Sequence, residues 1–109
     1  VRGIRIPPPV AATTYNHAYF PILVTDEHSR GRDGLYLYLR ERGIYTRRYF
    51  YPLISDFPMY RGLPSAAPSN LPVAHSIARQ ILCLPIYPGL EDTDLDRIID
   101  LIRSASCPI

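Results

Sequence analysis

No lysine occurs anywhere in the 109 residues, and all twelve basic side chains are arginine. Ordinary composition would supply about half a dozen lysines in a chain of this length. Without a side-chain amine the chain cannot form a Schiff base, cradle a phosphate as a P-loop lysine does, or offer an amine nucleophile. Cysteine is scarce as well, with only Cys83 and Cys107. Two thiols do not make a secreted disulfide framework, and no spacing of cysteines or histidines matches a zinc motif. His17, His28 and His75 are scattered, so no metal site is expected. The net charge of +2 is small. It asks for neither nucleic acid nor an anionic membrane as partner. No signal peptide opens the chain, and no apolar run approaches the length of a membrane span.

Proline and tyrosine are abundant instead, twelve and nine respectively. Together they point to long, rigid, aromatic loops between short elements. The length fits one domain with a real core. The chain starts at Val1, runs through Arg2-Gly3-Ile4-Arg5-Ile6 and enters Pro7-Pro8-Pro9. That reads as the interior of a protein, so a fragment or excised domain is expected.

Residues 1–15 form a Pro-rich extended or strand-like arm, and residues 16–109 the domain proper. Residues 16–25 are aromatic and β-branched, hence a strand, with Pro21 confined to an edge or a bulge. Residues 26–31 form a turn, with Asp26, Glu27 and His28 solvated. Arg32 to Arg42 reads as a helix with Leu35 and Leu39 one turn apart, Asp33 in its first turn and Gly43 ending it. Ile44 to Tyr51 reads as a second strand, at least over its first half. Residues 52–69, with four prolines, form a long structured loop, of the kind that is functional or ordered by a neighbour. Asn70 is the expected cap of a helix that has Pro72 in its first turn and runs through residue 81. Ile81 to Leu84 makes a short strand, with Cys83 as a small buried apolar residue. Leu90 to Ser104 carries Leu95, Ile98, Ile99 and Ile102 at helical spacing. Asp92, Asp94 and Asp96 sit at the positive end of its dipole, which accounts for them better than a metal cluster does. The alternation predicts an α+β domain, a small open sheet with helices packed on one face.

Chemistry concentrates in Tyr45-Thr46-Arg47-Arg48-Tyr49-Phe50-Tyr51, with Arg61 a further member. Guanidinium forks bind phosphates and carboxylates in pairs of hydrogen bonds, and aromatic rings stack on sugars or bases. Two readings stay open: a strand with arginine outward and aromatics inward, or a contact with an anion or nucleotide. Ser29 and Ser65 lack a recognisable His/Asp setting, so no hydrolytic triad is expected. A small non-enzymatic module that recognises an anionic ligand or a protein partner through this Arg/Tyr segment is one expectation.

The second expectation comes from ordered blocks: NHAYFPILV at 16–24, Arg32-Asp33 opening a helix, Gly43-Ile44-Tyr45-Thr46-Arg47, YFYPL at 49–53, Leu71-Pro72, and LPIYPGL at 84–90 before an acidic helix. This set resembles the C-terminal small domain of the DegT/DnrJ/StrS family of PLP-dependent nucleotide-sugar aminotransferases, particularly members acting on dTDP- or GDP-linked 4-keto-6-deoxy sugars. The resemblance implies the small domain of a fold-type I enzyme, with pyridoxal 5'-phosphate in the parent and none bound by this fragment alone. It implies a lysine-bearing large N-terminal domain as partner, a cytoplasmic homodimer, a nucleotide-sugar substrate and an amino-acid donor such as glutamate. It also implies that catalysis is absent from the fragment. Many relatives carry a His-Tyr pair where Tyr49-Phe50 stand here. The substrate-side role implied by the resemblance therefore falls on Arg47, Tyr49 and Phe50.

Overall fold

In the computed structural model, which describes residues 1–11 and 14–106, the centre of the fold is a five-residue strand. Before it comes β1 (Ile4–Arg5), and the strand itself is β2 (Phe20–Val24). Its partner on the other side is β3 (Ile81–Leu84). All pairings are antiparallel, in the order β1-β2-β3, with Ile4 opposite Val24 and Ile22 opposite Leu82. Period-two alternation sends Ile22 and Val24 to one face, where Leu82 joins them in the core. Pro21 is tolerated in this central strand because β1 is only two residues long and ends opposite Leu23. At Pro21 the strand is locally an edge, so the missing N–H costs no bond to β1.

Helices α1 (Gly31–Arg40), α2 (Pro72–Gln80) and α3 (Asp92–Ala105) complete the architecture. Leu35 and Leu39 of α1 and Ile98, Ile102 and Ala105 of α3 bury against Ile22, Val24 and Leu82. The expected α+β arrangement, with helices on one face of a small open sheet, is thus what forms. Gly43 ends α1 with φ 78°. Its N–H reaches Arg40 O at 3.0 Å and the Ile44 N–H reaches Leu39 O at 2.9 Å, the paired bonds of a left-handed helix stop. Leu39 and Ile44 then pack in the same core. No helix among the described residues is long and apolar enough to cross a membrane.

Four expectations are corrected. Ile44 to Tyr51 is not a strand. Only Arg47 pairs, exchanging backbone bonds of 3.0 and 2.8 Å with Cys83. Phe50 has φ 44°, which turns the chain off the sheet, and Pro52 offers no donor beyond it. Asn70 does not cap α2: Leu71 occupies that position without a side-chain bond, and the Asn70 amide donates to Pro64 O at 2.9 Å. On the outward side of the α3 stripe, Leu95 and Ile99 stay exposed, while Ile98 and Ile102 are buried. Residues 52–69 form the expected structured loop, through short turns at Ile54–Asp56, Pro64–Ala66 and Pro68–Asn70. Cys107 lies outside the described residues.

The fourth correction is His28, which is not solvated but 3% exposed. The Arg30 N–H donates to its Nδ1 at 3.3 Å. The proton therefore sits on Nε2, which donates to Ser106 Oγ at 3.1 Å, and that hydroxyl donates to Ile102 O at 3.0 Å. This chain of bonds needs a neutral ring. Burial first, and the Arg30 charge second, hold the imidazole below its ordinary 6.5. Below pH 6.5 the unfolded chain then binds more protons than the folded one, so the contribution of His28 is complete above 6.5 and is lost as pH falls through its lowered native value. Urea midpoints should accordingly fall from neutral pH downward before the carboxylates titrate. His28→Gln should flatten that slope, and an unchanged slope would refute the assignment.

Candidate functional site

Beyond β3 the sheet is covered by a single pair of bonds at Arg47, and the rest of that edge opens into a groove of about 590 Å³. Arg47 lines it beside its backbone partner Cys83, and Tyr19, Tyr45 and Tyr87 supply aromatic walls. Asp94 and Arg97 reach it from α3. Four separate stretches of chain meet there: the residues preceding β2, the stop of α1, the turn after β3, and the first turns of α3.

The electrostatics are uneven. The side chain of Arg47 is exposed and has no ion-pair partner among the described residues. Arg97 is spoken for, since its Nη2 donates to Arg42 O at 2.6 Å and ties α3 to the end of α1. Burial pushes the Cys83 thiol up, and the Arg47 guanidinium pulls it partly back. Cys83 is thus a protonated, buried member of the lining and no nucleophile.

Tyr49 and Phe50 extend the same wall. Their ring centroids are 4.2 Å apart, and Tyr49 lies 5.0 Å from Tyr19, which itself lines the groove. Phe50 is 70% exposed. The structure therefore brings Arg47, Tyr49 and Phe50 to one rim, linked through Tyr19. It does not bring the other two arginines there. Arg48 turns back to Asp33 at 3.4 Å and lies over the rings of Tyr36 and Tyr51. Arg61 is exposed and does not line the groove.

Sequence reasoning missed Tyr19, Tyr87, Asp94 and Arg97 as groove residues. Asp94 and Arg97 carried a usable signal, because three-residue spacing puts them on one helical face next to Ile98. Tyr19 and Tyr87 carried none beyond being aromatic. Chemically, one free guanidinium among aromatic faces can bind an anion and pack a ring. No group of acidic, histidine and cysteine side chains among the described residues could hold a metal ion.

A model of the DegT/DnrJ/EryC1/StrS aminotransferase family matches residues 2–103. The chain is 48% identical over 100 residues to dTDP-4-amino-4,6-dideoxy-D-glucose transaminase of Escherichia coli, covering 92% of this chain and 27% of that protein. It is 38% identical over 103 residues to the protein of the same name in Shigella dysenteriae, covering 94% of this chain and 28% of that one. Among solved structures, an aminotransferase of this family from Brucella abortus superposes with a TM-score of 0.78 at 30% identity, covering 97% of this chain and 27% of that chain. The chain thus spans about a quarter of the length of these relatives.

Proposed function

Because the chain belongs to the DegT/DnrJ/EryC1/StrS aminotransferase family, we propose that it is the C-terminal small domain of a PLP-dependent enzyme that moves an amino group from an amino acid to a nucleotide-linked keto-deoxysugar. The observation that carries this reading is the unbroken family match over residues 2–103. Residues 16–109 form the body of the domain, with 1–15 as the arm leading into it. Glutamate is the donor, a dTDP-linked sugar the acceptor, and the parent a cytoplasmic homodimer.

The residues present do not by themselves fit pyridoxal phosphate. The chain has no lysine to carry it, and the only cation in the groove without a partner among the described residues is Arg47. The amine that holds the cofactor belongs to the large domain of the parent. This domain contributes binding. Arg47 presents its fork to an anionic group of the sugar nucleotide, Tyr49 and Phe50 pack against a ring, and the aromatic rim excludes water from the closed site.

Arg47→Leu in the full-length enzyme tests this. A charge-assisted hydrogen bond is worth roughly 1.5–3 kcal/mol, so KM for the sugar nucleotide should rise about tenfold or more. The half-reaction with the amino donor should keep its rate. An unchanged KM would remove Arg47 from the site.

A further inference from the structure

The stretch from Arg47 to Tyr51 is fixed at both ends and strained between them. At one end lie the two backbone bonds with Cys83. At the other, the guanidiniums of Arg32 and Arg48 each lie 4.8 Å from the centroid of the Tyr51 ring. Between these anchors Phe50 holds φ 44°, a left-handed conformation that a side chain with a β-carbon adopts only when its surroundings impose it. Burial does not impose it, because the Phe50 ring is in solvent.

Arg32 is the immovable part of the outer anchor. Its side chain is 3% exposed. Its Nη1 donates to Ala78 O at 2.9 Å and to Ile81 O at 3.3 Å, at the junction of α2 and β3. Its Nε stands 2.7 Å from Asp33 Oδ1, and the same oxygen holds Arg48 at 3.4 Å. The same carboxylate oxygen lies within ion-pair distance of both guanidiniums, and both lie over one tyrosine ring. Arg32 neither lines the groove nor touches Tyr49 or Phe50 in any ring or hydrogen-bond contact.

We propose that Arg32 is a positioning residue for the substrate wall: acting through Tyr51 and Arg48, it fixes the backbone conformation that stacks Phe50 on Tyr49 and sets Tyr49 against the groove residue Tyr19. The proposal rests on the reading of that wall as the sugar-nucleotide side of the site. It adds a buried residue of α1, outside the groove lining, whose effect is preorganisation. Without the anchor, two aromatic side chains must be ordered at each binding event.

The test uses the full-length enzyme. Arg32→Lys keeps the charge and loses the planar fork. Because a buried substitution can impair folding, Tyr51→Leu removes the ring from a half-exposed position instead, and Tyr51→Phe keeps it. Ordering two side chains anew should raise KM for the sugar nucleotide about tenfold in Tyr51→Leu and Arg32→Lys, while the amino-donor half-reaction stays within about twofold. Tyr51→Phe should behave as wild type. A purely structural loss would depress both half-reactions together, and that result, or an unchanged KM, overturns the proposal. A second readout is the nuclear Overhauser contact between the Tyr49 and Phe50 rings in protein labelled with ¹³C at Tyr and Phe. It should disappear in Tyr51→Leu and persist in Tyr51→Phe. If the wild-type enzyme transfers no amino group to any sugar nucleotide, the functional reading has failed. The ring contact then decides the anchor by itself, and its survival in Tyr51→Leu overturns it.

Discussion

Arg32→Met should lower the stability of the chain by about 2–4 kcal/mol, the sum of a lost charge-assisted bond to two carbonyls and a lost partner for the negative end of α2. Methionine keeps most of the stem volume, so packing is nearly conserved and polar contacts carry the effect. The carbonyls of Ala78 and Ile81 remain in place with no donor from position 32. That is why the substitution does not benefit from removing a buried charge, as it could where both partners of an ion pair are replaced. Asp33 adds little, since its carboxylate is well exposed and keeps Arg48. For a domain of this size the melting temperature should drop by roughly 10–20 °C. Circular dichroism with urea and heat would show it. A loss below about 1 kcal/mol would mean that water replaces the guanidinium without penalty.

Arg32 is one case of a wider pattern that gives the missing lysines a structural meaning. Each helix ends against an arginine from elsewhere in the chain or from just beyond its own end. Arg32 serves α2. Arg30 Nε donates to Ala105 O at 3.2 Å at the end of α3, where Ser29 Oγ also donates. At the end of α1, Arg42 donates to Tyr38 O at 3.0 Å and Arg97 to Arg42 O. Arg30 and Arg42 both lie over the Tyr38 ring. A planar fork can serve a carbonyl and a ring face together, where an ammonium acts as a compact point charge. Composition alone excluded amine chemistry, but it did not say that the arginines would be used as staples.

Local physics was legible and long-range placement was not. The α1 and α3 helices followed from leucine and isoleucine spacing and from their acidic first turns, both of which are properties of neighbouring residues. Strand β3 followed from an apolar run closed by Pro85. The stretch 44–51 was misread because its β-branched and aromatic content describes a half-buried surface, which it has, without requiring a ladder, which it lacks. Arg47 and Arg48 are adjacent and chemically identical. Asp33, fifteen residues from Arg48, and the rings of Tyr36 and Tyr51 hold Arg48, while Arg47 lines the groove with no ion-pair partner among the described residues. His28 was misplaced for a similar reason: its burial depends on Gly3 and on the end of α3. The groove itself was invisible in advance, because its residues come from four stretches and only Tyr45 and Arg47 of its lining belong to the Arg/Tyr segment.

Gly3→Ala should cost about 3 kcal/mol or more, combining left-handed strain of roughly 1–2 kcal/mol with an overpacking penalty of similar size. Gly3 has φ 74°, and a β-carbon added there would lie 2.3 to 2.6 Å from the N, Cα and Cβ of His28. Those atoms cannot yield cheaply. The His28 N–H is bonded to Thr25 O and the Gly31 N–H to His28 O, each at 3.0 Å, and the imidazole is tied to Ser106. Two responses remain. Strand β1 lifts off and surrenders the 2.8 Å bond from the Thr25 N–H to Gly3 O, or the His28 turn shifts and breaks its link to α3. Hydrogen exchange separates them: fast exchange confined to Thr25 and the β1–β2 ladder marks the first, and faster exchange through the last turn of α3 marks the second. Gly43→Ala is the control. Its φ is 78°, but nothing lies within 4 Å of the added carbon, so it should cost only the strain of about 1–2 kcal/mol. Equal losses at the two positions would show that the close approach of β1 to His28 contributes nothing.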